Sequence, residues 1–377
     1  MSTQPSMGMK LRLQAPLLLR TDAGFDIGTG HVMRLLALVE AWQEAQPPAA
    51  EPALTILLGC VPMPGLRKRL ADAGVGVWDL MASHPDPGDL AALANLAAVF
   101  QPGWIVLDGY HFDPDYQAAV RALGIPVLVV DDIAQHSHYH ASLLLNQNLG
   151  AKGLHYAVDS DTRLLLEARY CLLRSELKRA RNTPRAPSPS ALEHRSLCLL
   201  ITMGGSDPRG LTLLALEAVA AVGADWEVLV VVRSTTPQLN ALRQFAATLP
   251  NIALHEDVQD MGVLMNSADF ALSASGTTAW ELAALGVPAL LVTVADNQIP
   301  IADVTAAVGF SINLGWWETL TVANLATALK SLAADDAQRA RMRTAGQAVV
   351  DGEGAARVVQ AMYEYQQLSS ANESRHE

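Results

Sequence analysis

The stretch LQAPLLLRTDAGFDIGTGHVMR, from Leu13 to Arg34, decides the fold. Its apolar run, Leu13–Arg20, predicts a buried β-strand, and the pattern that follows predicts a helix over His31–Ala45. Between them stand Gly28 and Gly30, and glycine lets the backbone come close to a ligand. The stretch therefore predicts a strand, a ligand-facing loop and a helix in succession.

The same alternation of short Val/Ile/Leu-rich runs with longer helical segments continues along both halves of the chain. It is typical of βα units that build parallel sheets covered by helices on both faces. The sequence predicts an α/β protein of two doubly wound domains, residues 1–185 and 186–367, followed by a flexible tail, 368–377. The proline-rich segment Arg181–Arg195 predicts the connection between them.

Composition excludes several other classes of protein. The chain has 377 residues, 50% of them hydrophobic and 17% charged, so it can bury large cores. Its 38 acidic and 26 basic side chains give a net charge of −12, which disfavours binding to nucleic acid or anionic lipid. No apolar run approaches the ~20 residues that span a bilayer, and Cys60, Cys171 and Cys198 match no disulfide or zinc spacing. We expect a cytoplasmic protein without a membrane span, and nothing in the sequence defines an oligomeric state.

His31 is the candidate base of the first loop, with Arg34 one helical turn further on. A helix N-terminus disfavours the protonated imidazole and binds anions, so His31 can accept a proton from water beside a phosphate. The alternative is a glycine turn with a surface histidine. A nicotinamide site is disfavoured, because Met33 stands where the third glycine of G-x-G-x-x-G belongs.

Two more loops of the first half carry polar side chains after predicted strands. Asp108 and Tyr110 can orient a donor, a sugar hydroxyl or a water, or they simply form a strand end with an aromatic lid. Further on, His136, His138 and His140 alternate. On a strand they would share one face, but the surrounding residues indicate a loop and no carboxylate pattern completes a site, so we predict no metal.

Three loops of the second half have residues suited to a nucleotide. Gly205 and Ser206 follow a predicted strand, where small residues and backbone N–H groups suit a diphosphate or the sugar beside it. Ser206 or Asp207 is, alternatively, only a helix cap. In the last of the three loops, which leads to Pro300 in the first turn of a predicted helix, Asn297 and Gln298 offer amides for sugar hydroxyl and acetamido groups, or Asn297 is only a cap.

The segment Ser275-Gly276-Thr277-Thr278-Ala-Trp-Glu281 repeats the small-residue turn after another predicted strand. In one interpretation Gly276, Thr277 and Thr278 hold phosphates, and Glu281 accepts hydrogen bonds from the two ribose hydroxyls. In the other, Thr278 and Glu281 form a capping box, whose spacing they also satisfy. Because such loops occur at matching ends of both domains, and no Walker A, G-x-S-x-G or H-E-x-x-H motif is present, we expect a nucleotide-linked substrate.

Several short motifs form one ordered series along the chain: Arg20-x-Asp22, Gly28-x-Gly30-His31-x-x-Arg34, Asp108-x-Tyr110, Asp131-Asp132, Leu143-Leu-Leu-Asn146-Gln147-Asn148, Tyr170-x-Leu-Leu-Arg174-x-Glu176, Met203-Gly-Gly-x-Asp207, Ser275-Gly-x-Thr-x-x-Glu281 and Asn297-Gln298. The series resembles that of the PseG family, the UDP-2,4-diacetamido-2,4,6-trideoxy-β-L-altropyranose hydrolases of pseudaminic acid biosynthesis, which are relatives of the MurG-type GT-B glycosyltransferases. The match extends from about residue 16 to about residue 310.

The resemblance implies a GT-B fold, two Rossmann-like domains facing an interdomain cleft, with UDP held by the C-terminal domain. It implies that His31 is the general base that activates water at the anomeric carbon, that UDP leaves with inversion, and that Tyr110 and Asn297 position sugar and water. The other substrate-binding residues that it implies are Arg20, Asp22, Gly28, Gly30, Arg34, Gly205, Ser206, Ser275, Gly276, Thr277, Thr278, Glu281 and Gln298. No cofactor or metal is implied, since UDP is already a good leaving group.

Two other functions fit the same motifs. A GT-B glycosyltransferase would pass the sugar of a UDP-aminosugar to an alcohol. The basic helix Gly65–Ala71 is its one candidate docking face, and a solvated helix face explains the three basic residues better. A non-catalytic nucleotide-sugar-binding protein would have no use for His31 beside the glycines. The identity of the sugar is the least defined feature, because Phe25–Asp26 lengthen the loop that should face it.

Overall fold

The structure is a computed structural model that describes residues 15–24, 27–46, 53–184, 196–204, 207 and 209–373. Its β-strands are β1 Leu17–Thr21, β2 Thr55–Gly59, β3 Val75–Asp79, β4 Trp104–Asp108, β5 Val127–Val130, β6 Leu143–Asn146, β7 Arg163–Leu166, β8 Cys198–Thr202, β9 Glu227–Val232, β10 Ile252–Glu256, β11 Phe270–Ala274, β12 Ala289–Thr293 and β13 Ser311–Trp316.

The α-helices are α1 Gly30–Glu44, α2 Pro64–Asp72, α3 Pro87–Phe100, α4 Pro114–Arg121, α5 Ser175–Asn182, α6 Leu211–Val222, α7 Leu239–Ala246, α8 Met261–Ser267, α9 Thr278–Leu285, α10 Ile299–Ala307, α11 Val322–Ala334, α12 Asp336–Val349 and α13 Gly354–Glu373. None of these described helices has both the length and the apolarity that a membrane span requires.

In the first half of the chain, the described strands form one parallel sheet in the order β3-β2-β1-β4-β5-β6-β7. Its central strands are buried on both faces. Leu17 and Leu19 of β1 pack into one apolar cluster and Leu18 into another, which is why the run has no polar alternation. The strand order reverses between β1 and β4, so the loops after these two strands open a crevice where such sheets bind ligands.

The second half repeats the plan with a parallel sheet in the order β10-β9-β8-β11-β12-β13. Leu199 of β8 and Leu272 of β11 pack with Leu216 of α6 and Leu329 of α11 in one core. Here the strand order reverses between β8 and β11. The two sheets confirm the predicted α/β class with two Rossmann-like domains.

Contacts divide the chain into one unit of Met1–Arg174 with Glu353–Glu377 and a second unit of Ser175–Gly352. From the sequence we predicted a domain boundary between residues 185 and 186, with all residues from 186 to 367 in the second domain. α13 instead packs on the first unit, where the Tyr363 ring lies 5.2 Å from that of Trp42. An Ala-rich pattern predicts a helix, but it does not say which sheet the helix covers.

The predicted connection Arg181–Arg195 begins inside α5, where Arg181 donates a hydrogen bond to the Ala284 carbonyl of the second unit. Its residues 185–195 lie outside the described residues. At the other end, the predicted tail 368–377 is helical as far as Glu373, and residues 374–377 lie outside the described part of the chain.

Candidate active site

The glycine loop after β1, residues 22–29, is closed by two backbone hydrogen bonds between Gly24 and Gly28, with N···O distances of 3.1 and 2.8 Å. Gly28 has a φ of +77°, a conformation that side chains disfavour. α1 then begins at Gly30, and the preceding Thr29 makes no side-chain cap. The loop thus delivers a helix N-terminus to the crevice beside β1. Phe25 and Asp26, which lengthen this loop, lie outside the described residues.

His31, in the first turn of α1, points its ring at the last residue of β4. Its Nδ1 lies 2.6 Å from Oδ1 of Asp108. The Asp108 side chain is fully buried and that of His31 is 10% exposed. A nitrogen and a carboxylate oxygen this close are joined by a hydrogen bond, so Nδ1 carries the proton and donates to Asp108. Nε2 is then the ring nitrogen that can accept a proton.

Arg34, one turn further along α1, fixes the Asp108 carboxylate from its other side. Its Nε donates to Oδ2 at 2.7 Å and its Nη2 to Oδ1 at 2.6 Å. Burial by itself would raise the pKa of Asp108, but the charge of Arg34 and the hydrogen bonds from Arg34 and His31 outweigh it and hold that pKa well below its ordinary range. Asp108 is therefore ionised, and the proton of the short contact belongs to His31.

A second carboxylate, Asp132, completes the cluster. Arg34 Nη1 donates to both of its oxygens, at 2.8 and 3.0 Å, and the Tyr110 hydroxyl donates to Oδ2 at 2.8 Å. The Tyr110 ring also packs edge-on against His31, with 5.1 Å between ring centroids. With neutral His31, the two carboxylates and one guanidinium sum to −1, so an imidazolium at His31 would bring the cluster to neutrality.

The sequence-predicted binding residues Arg20 and Asp22 belong to a second buried cluster, a clamp that includes Asp89. Arg20 Nε donates to Asp89 Oδ1 at 2.9 Å, its Nη2 contacts Asp89 Oδ2, and its Nη1 lies 2.9 Å from Asp22 Oδ1. Asp22 in turn accepts from the Cys60 amide at 2.7 Å and faces His111 Nε2 at 3.0 Å. The clamp therefore joins the end of β1 to the three segments that carry Asp89, Cys60 and His111.

We expect Asp89→Asn to lower the free energy of unfolding by about 3 kcal/mol, because it removes a charge partner from a buried guanidinium. The Arg20 and Asp89 side chains are both 0% exposed, whereas the Arg67–Asp79 pair on α2 and β3 is open to solvent. Asp79→Asn is therefore the matched control, with an expected loss below about 1 kcal/mol. Chemical denaturation of both variants measures the difference, and equal losses would contradict the clamp.

The difference between the parent and Asp89→Asn should also depend on pH. Burial would raise the pKa of Asp89, but its hydrogen bonds and ion pair with Arg20 lower it below 3.8. A carboxyl with a depressed folded-state pKa stabilises the fold above its unfolded-state value and loses that effect as the pH falls through the folded-state value. The stability gap should therefore be constant near neutral pH and shrink below pH 3.8.

In the second unit, Ser275 lies at the end of β11, fully buried. Its hydroxyl lies 3.2 Å from the Val292 carbonyl and 3.3 Å from Thr293 Oγ1, so it ties β11 to β12. Gln298, in a short 3-10 turn before α10, accepts from the Val294 amide at 3.1 Å and lies 3.5 Å from the Ser275 hydroxyl. Asn297 is partly buried in the same turn.

α9 begins at Thr278, and the residue in the cap position is Thr277, whose side chain forms no cap hydrogen bond. The capping box of Thr278 with Glu281, the alternative to a nucleotide role, is therefore not formed, because Thr278 lies inside the helix. Gly276, Thr277, Thr278 and Glu281 are all partly exposed at this helix N-terminus. The arrangement places the N-terminus of α9 and the hydroxyls of Thr277 and Thr278 after β11, one of the two strands between which the strand order of the second sheet reverses.

The loop after β8 is described only in part. Gly205 and Ser206 lie outside the described residues. The N-cap residue of α6 is Gly210, and the Asp207 carboxylate accepts from the first two amides of the helix, those of Leu211 and Thr212, at 2.9 and 2.8 Å.

No model of a known protein family matches the chain. SpsG, the spore coat polysaccharide biosynthesis protein of Bacillus subtilis, is 30% identical over 171 residues, 44% of this chain and 50% of its own length. This chain thus spans about half of SpsG. The UDP-2,4-diacetamido-2,4,6-trideoxy-β-L-altropyranose hydrolase of Campylobacter jejuni is 22% identical over 299 residues, 78% of this chain and 98% of that protein. The chain is a homologue of both.

Solved structures give the fold of this homologue. Staphylococcus aureus MnaA, solved with UDP, superimposes with a TM-score of 0.65 at 14% identity, over 94% of this chain and 97% of its own. Acinetobacter baumannii MurG superimposes with a TM-score of 0.61 at 16% identity, over 93% and 99%. The fold is GT-B, as the motif series implied.

Proposed function

We propose that the chain hydrolyses a UDP-linked 2,4-diacetamido-2,4,6-trideoxy sugar, or a close UDP-aminosugar, to UDP and the free sugar. The observation that carries the proposal is the His31–Asp108 contact, because it leaves Nε2 as a proton acceptor at a helix N-terminus. Homology to a UDP-sugar hydrolase supports the substrate class. The free sugar would then serve pseudaminic acid biosynthesis or a related route.

His31 Nε2 takes a proton from water as the water oxygen bonds to the anomeric carbon. The bond from that carbon to the UDP oxygen breaks, its electron pair leaves with UDP, and a single displacement inverts the anomeric configuration. The imidazolium that forms is held by the ionised Asp108. A positioned base contributes about 10²–10⁴-fold, which suffices for a leaving group as good as UDP without a metal.

The loops of the second unit are the proposed nucleotide site. The N-terminus of α9, with Thr277 and Thr278, favours the diphosphate. Glu281, one turn in, accepts from the ribose hydroxyls. Gly205 and Ser206, to which the resemblance also assigns substrate binding, lie outside the described residues. Tyr110 and Asn297 orient the sugar and the water.

A UDP-release assay without acceptor tests the proposal. The full chain is incubated with UDP-2,4-diacetamido-2,4,6-trideoxy-β-L-altropyranose, and NMR follows UDP and the anomeric proton of the first-formed sugar. We expect stoichiometric UDP and free sugar with inverted configuration. Turnover only after an alcohol is added would identify a glycosyltransferase, and binding without turnover a non-catalytic protein, so either result overturns hydrolysis.

Glu281→Gln should weaken UDP binding by about 10–100-fold, because hydrogen bonds to a charged group contribute ~1.5–3 kcal/mol each. Isothermal titration with UDP and with 2′-deoxy-UDP measures the effect. The variant should lose less affinity for the deoxy ligand, which lacks one of the two hydroxyls. Glu217→Gln, an exposed carboxylate on α6, is the control. An unchanged dissociation constant for UDP in Glu281→Gln would contradict the ribose contact.

A further inference from the structure

Two loops of the first unit bring a pair of histidines and a carboxylate together. His138 Nε2 lies 2.9 Å and His140 Nδ1 3.0 Å from the same Asp159 oxygen, Oδ1. All three ligand atoms lie within 4.8 Å of one another. We propose that these three side chains bind a divalent cation, Zn²⁺ in the first place.

The backbone explains why the two histidines face the same way. Tyr139, between them, forms a parallel bridge with Val158, and its amide donates to the Ala157 carbonyl at 2.9 Å. The Tyr139 ring is buried and its hydroxyl donates to Asp131 at 2.7 Å. In extended backbone, neighbours of an inward residue point outward. The bridge therefore directs His138 and His140 to the opposite side and places Asp159, one residue after Val158, against them.

The donor set suits zinc. Imidazole nitrogen and carboxylate oxygen are ordinary Zn²⁺ ligands at ~2.0–2.2 Å, which in a tetrahedral site puts ligand atoms roughly 3.3 Å apart. The distances from Asp159 Oδ1 to the two histidine nitrogens, 2.9 and 3.0 Å, need to increase by only a few tenths of an ångström to reach this value. The side chains of His138, His140 and Asp159 are 37%, 30% and 26% exposed, so an ion can enter and water can complete its shell.

The surrounding charges favour a cation. Arg121 Nε lies 3.9 Å from the other Asp159 oxygen, Oδ2, which leaves Oδ1 to the histidine side. The Arg121 charge is paired with Asp161, at 2.6 Å from Nη2. The two carboxylates and one guanidinium sum to −1. Since a partner on the far oxygen also orients a ligand carboxylate, Arg121 would support the site.

His136 provides the matched control. It is the first of the three alternating histidines, but its ring packs edge-on against Tyr139, with centroids 5.3 Å apart, and it is not part of the cluster. From the sequence we predicted no metal at the alternating histidines, because no carboxylate pattern accompanied them. In the structure Asp159, 19 residues after His140, provides the carboxylate. The proposal does not depend on the reaction that the chain catalyses.

Titration of the full chain with zinc chloride tests the site. The protein is first stripped with a chelator and dialysed, and isothermal titration calorimetry at neutral pH counts the equivalents bound. We expect one equivalent in the parent and in His136→Ala. Dissociation constants should rise at least about tenfold in His140→Ala and in Asp159→Asn, since each loses one of three ligands.

A structural readout separates this site from adventitious binding to other histidines. Zinc should raise the melting temperature of the parent and of His136→Ala, because the ion joins two loops of the folded state only, and should not raise that of Asp159→Asn. Asp159→Asn keeps the size of the side chain, so its fold can be checked by circular dichroism. Equal zinc affinity in all four proteins, or a loss in His136→Ala as large as in His140→Ala, would overturn the proposal.

Discussion

We expect the His31→Gln variant to release UDP about 10²–10⁴-fold more slowly than the parent protein, with the Michaelis constant little changed. Glutamine is close to histidine in size, and its amide nitrogen corresponds in position to Nε2 rather than to the Nδ1 that lies 2.6 Å from Asp108. It has no atom that takes a proton from water near neutral pH. The variant therefore isolates proton transfer from the packing of α1.

The control for this variant is His155→Gln, an exposed histidine of the same unit, which should keep full turnover. Initial rates of UDP release at saturating and at low substrate separate kcat from KM. A loss confined to KM would indicate that His31 only binds substrate. A variant with undiminished turnover would remove the base from the mechanism.

The predicted site came largely from one property of parallel sheets. Strands buried on both faces, such as Leu17–Thr21, are continuous apolar runs, so their ends can be located from sequence. The residues that follow those ends meet at one edge. His31, Asp108 and Tyr110 were singled out on that basis, and the structure joins them in one hydrogen-bonded and ring-packed cluster.

Other features depended on partners far along the chain. Arg20 was predicted to bind substrate, and this stays a prediction. The structure pairs its guanidinium with Asp89, 69 residues away, a partner that no local pattern marked. The edge strands β3, β7 and β13 contain partly exposed residues, as at Val75–Asp79, so their burial is less evident from local sequence than that of a central strand. The local hydrophobic pattern therefore indicates which segments are buried, but it does not indicate which distant side chains they contact.

Asp108→Asn should lower kcat by about 10³–10⁴-fold, as loss of the orienting carboxylate does in a serine protease triad. The asparagine amide would present an N–H to His31 Nδ1, which then accepts, so the proton moves to Nε2 and the ring can no longer act as a base. The ionised Asp108 now prevents this, because a carboxylate only accepts. Replacing it also withdraws the charge that stabilises the imidazolium.

Asp132→Asn is the matched control, since it takes the same charge from the same guanidinium. Arg34 contacts Asp132 at 2.8 Å and Asp108 at 2.6 Å, but only Asp108 touches His31. If the carboxylate acts by orienting the ring, Asp108→Asn must cost at least tenfold more in kcat than Asp132→Asn, at similar loss of stability. If the two carboxylates serve only to neutralise Arg34, kcat will fall by the same factor in both variants. Parallel measurements of kcat and of the denaturation midpoint distinguish these outcomes, because a purely structural effect moves both variants together.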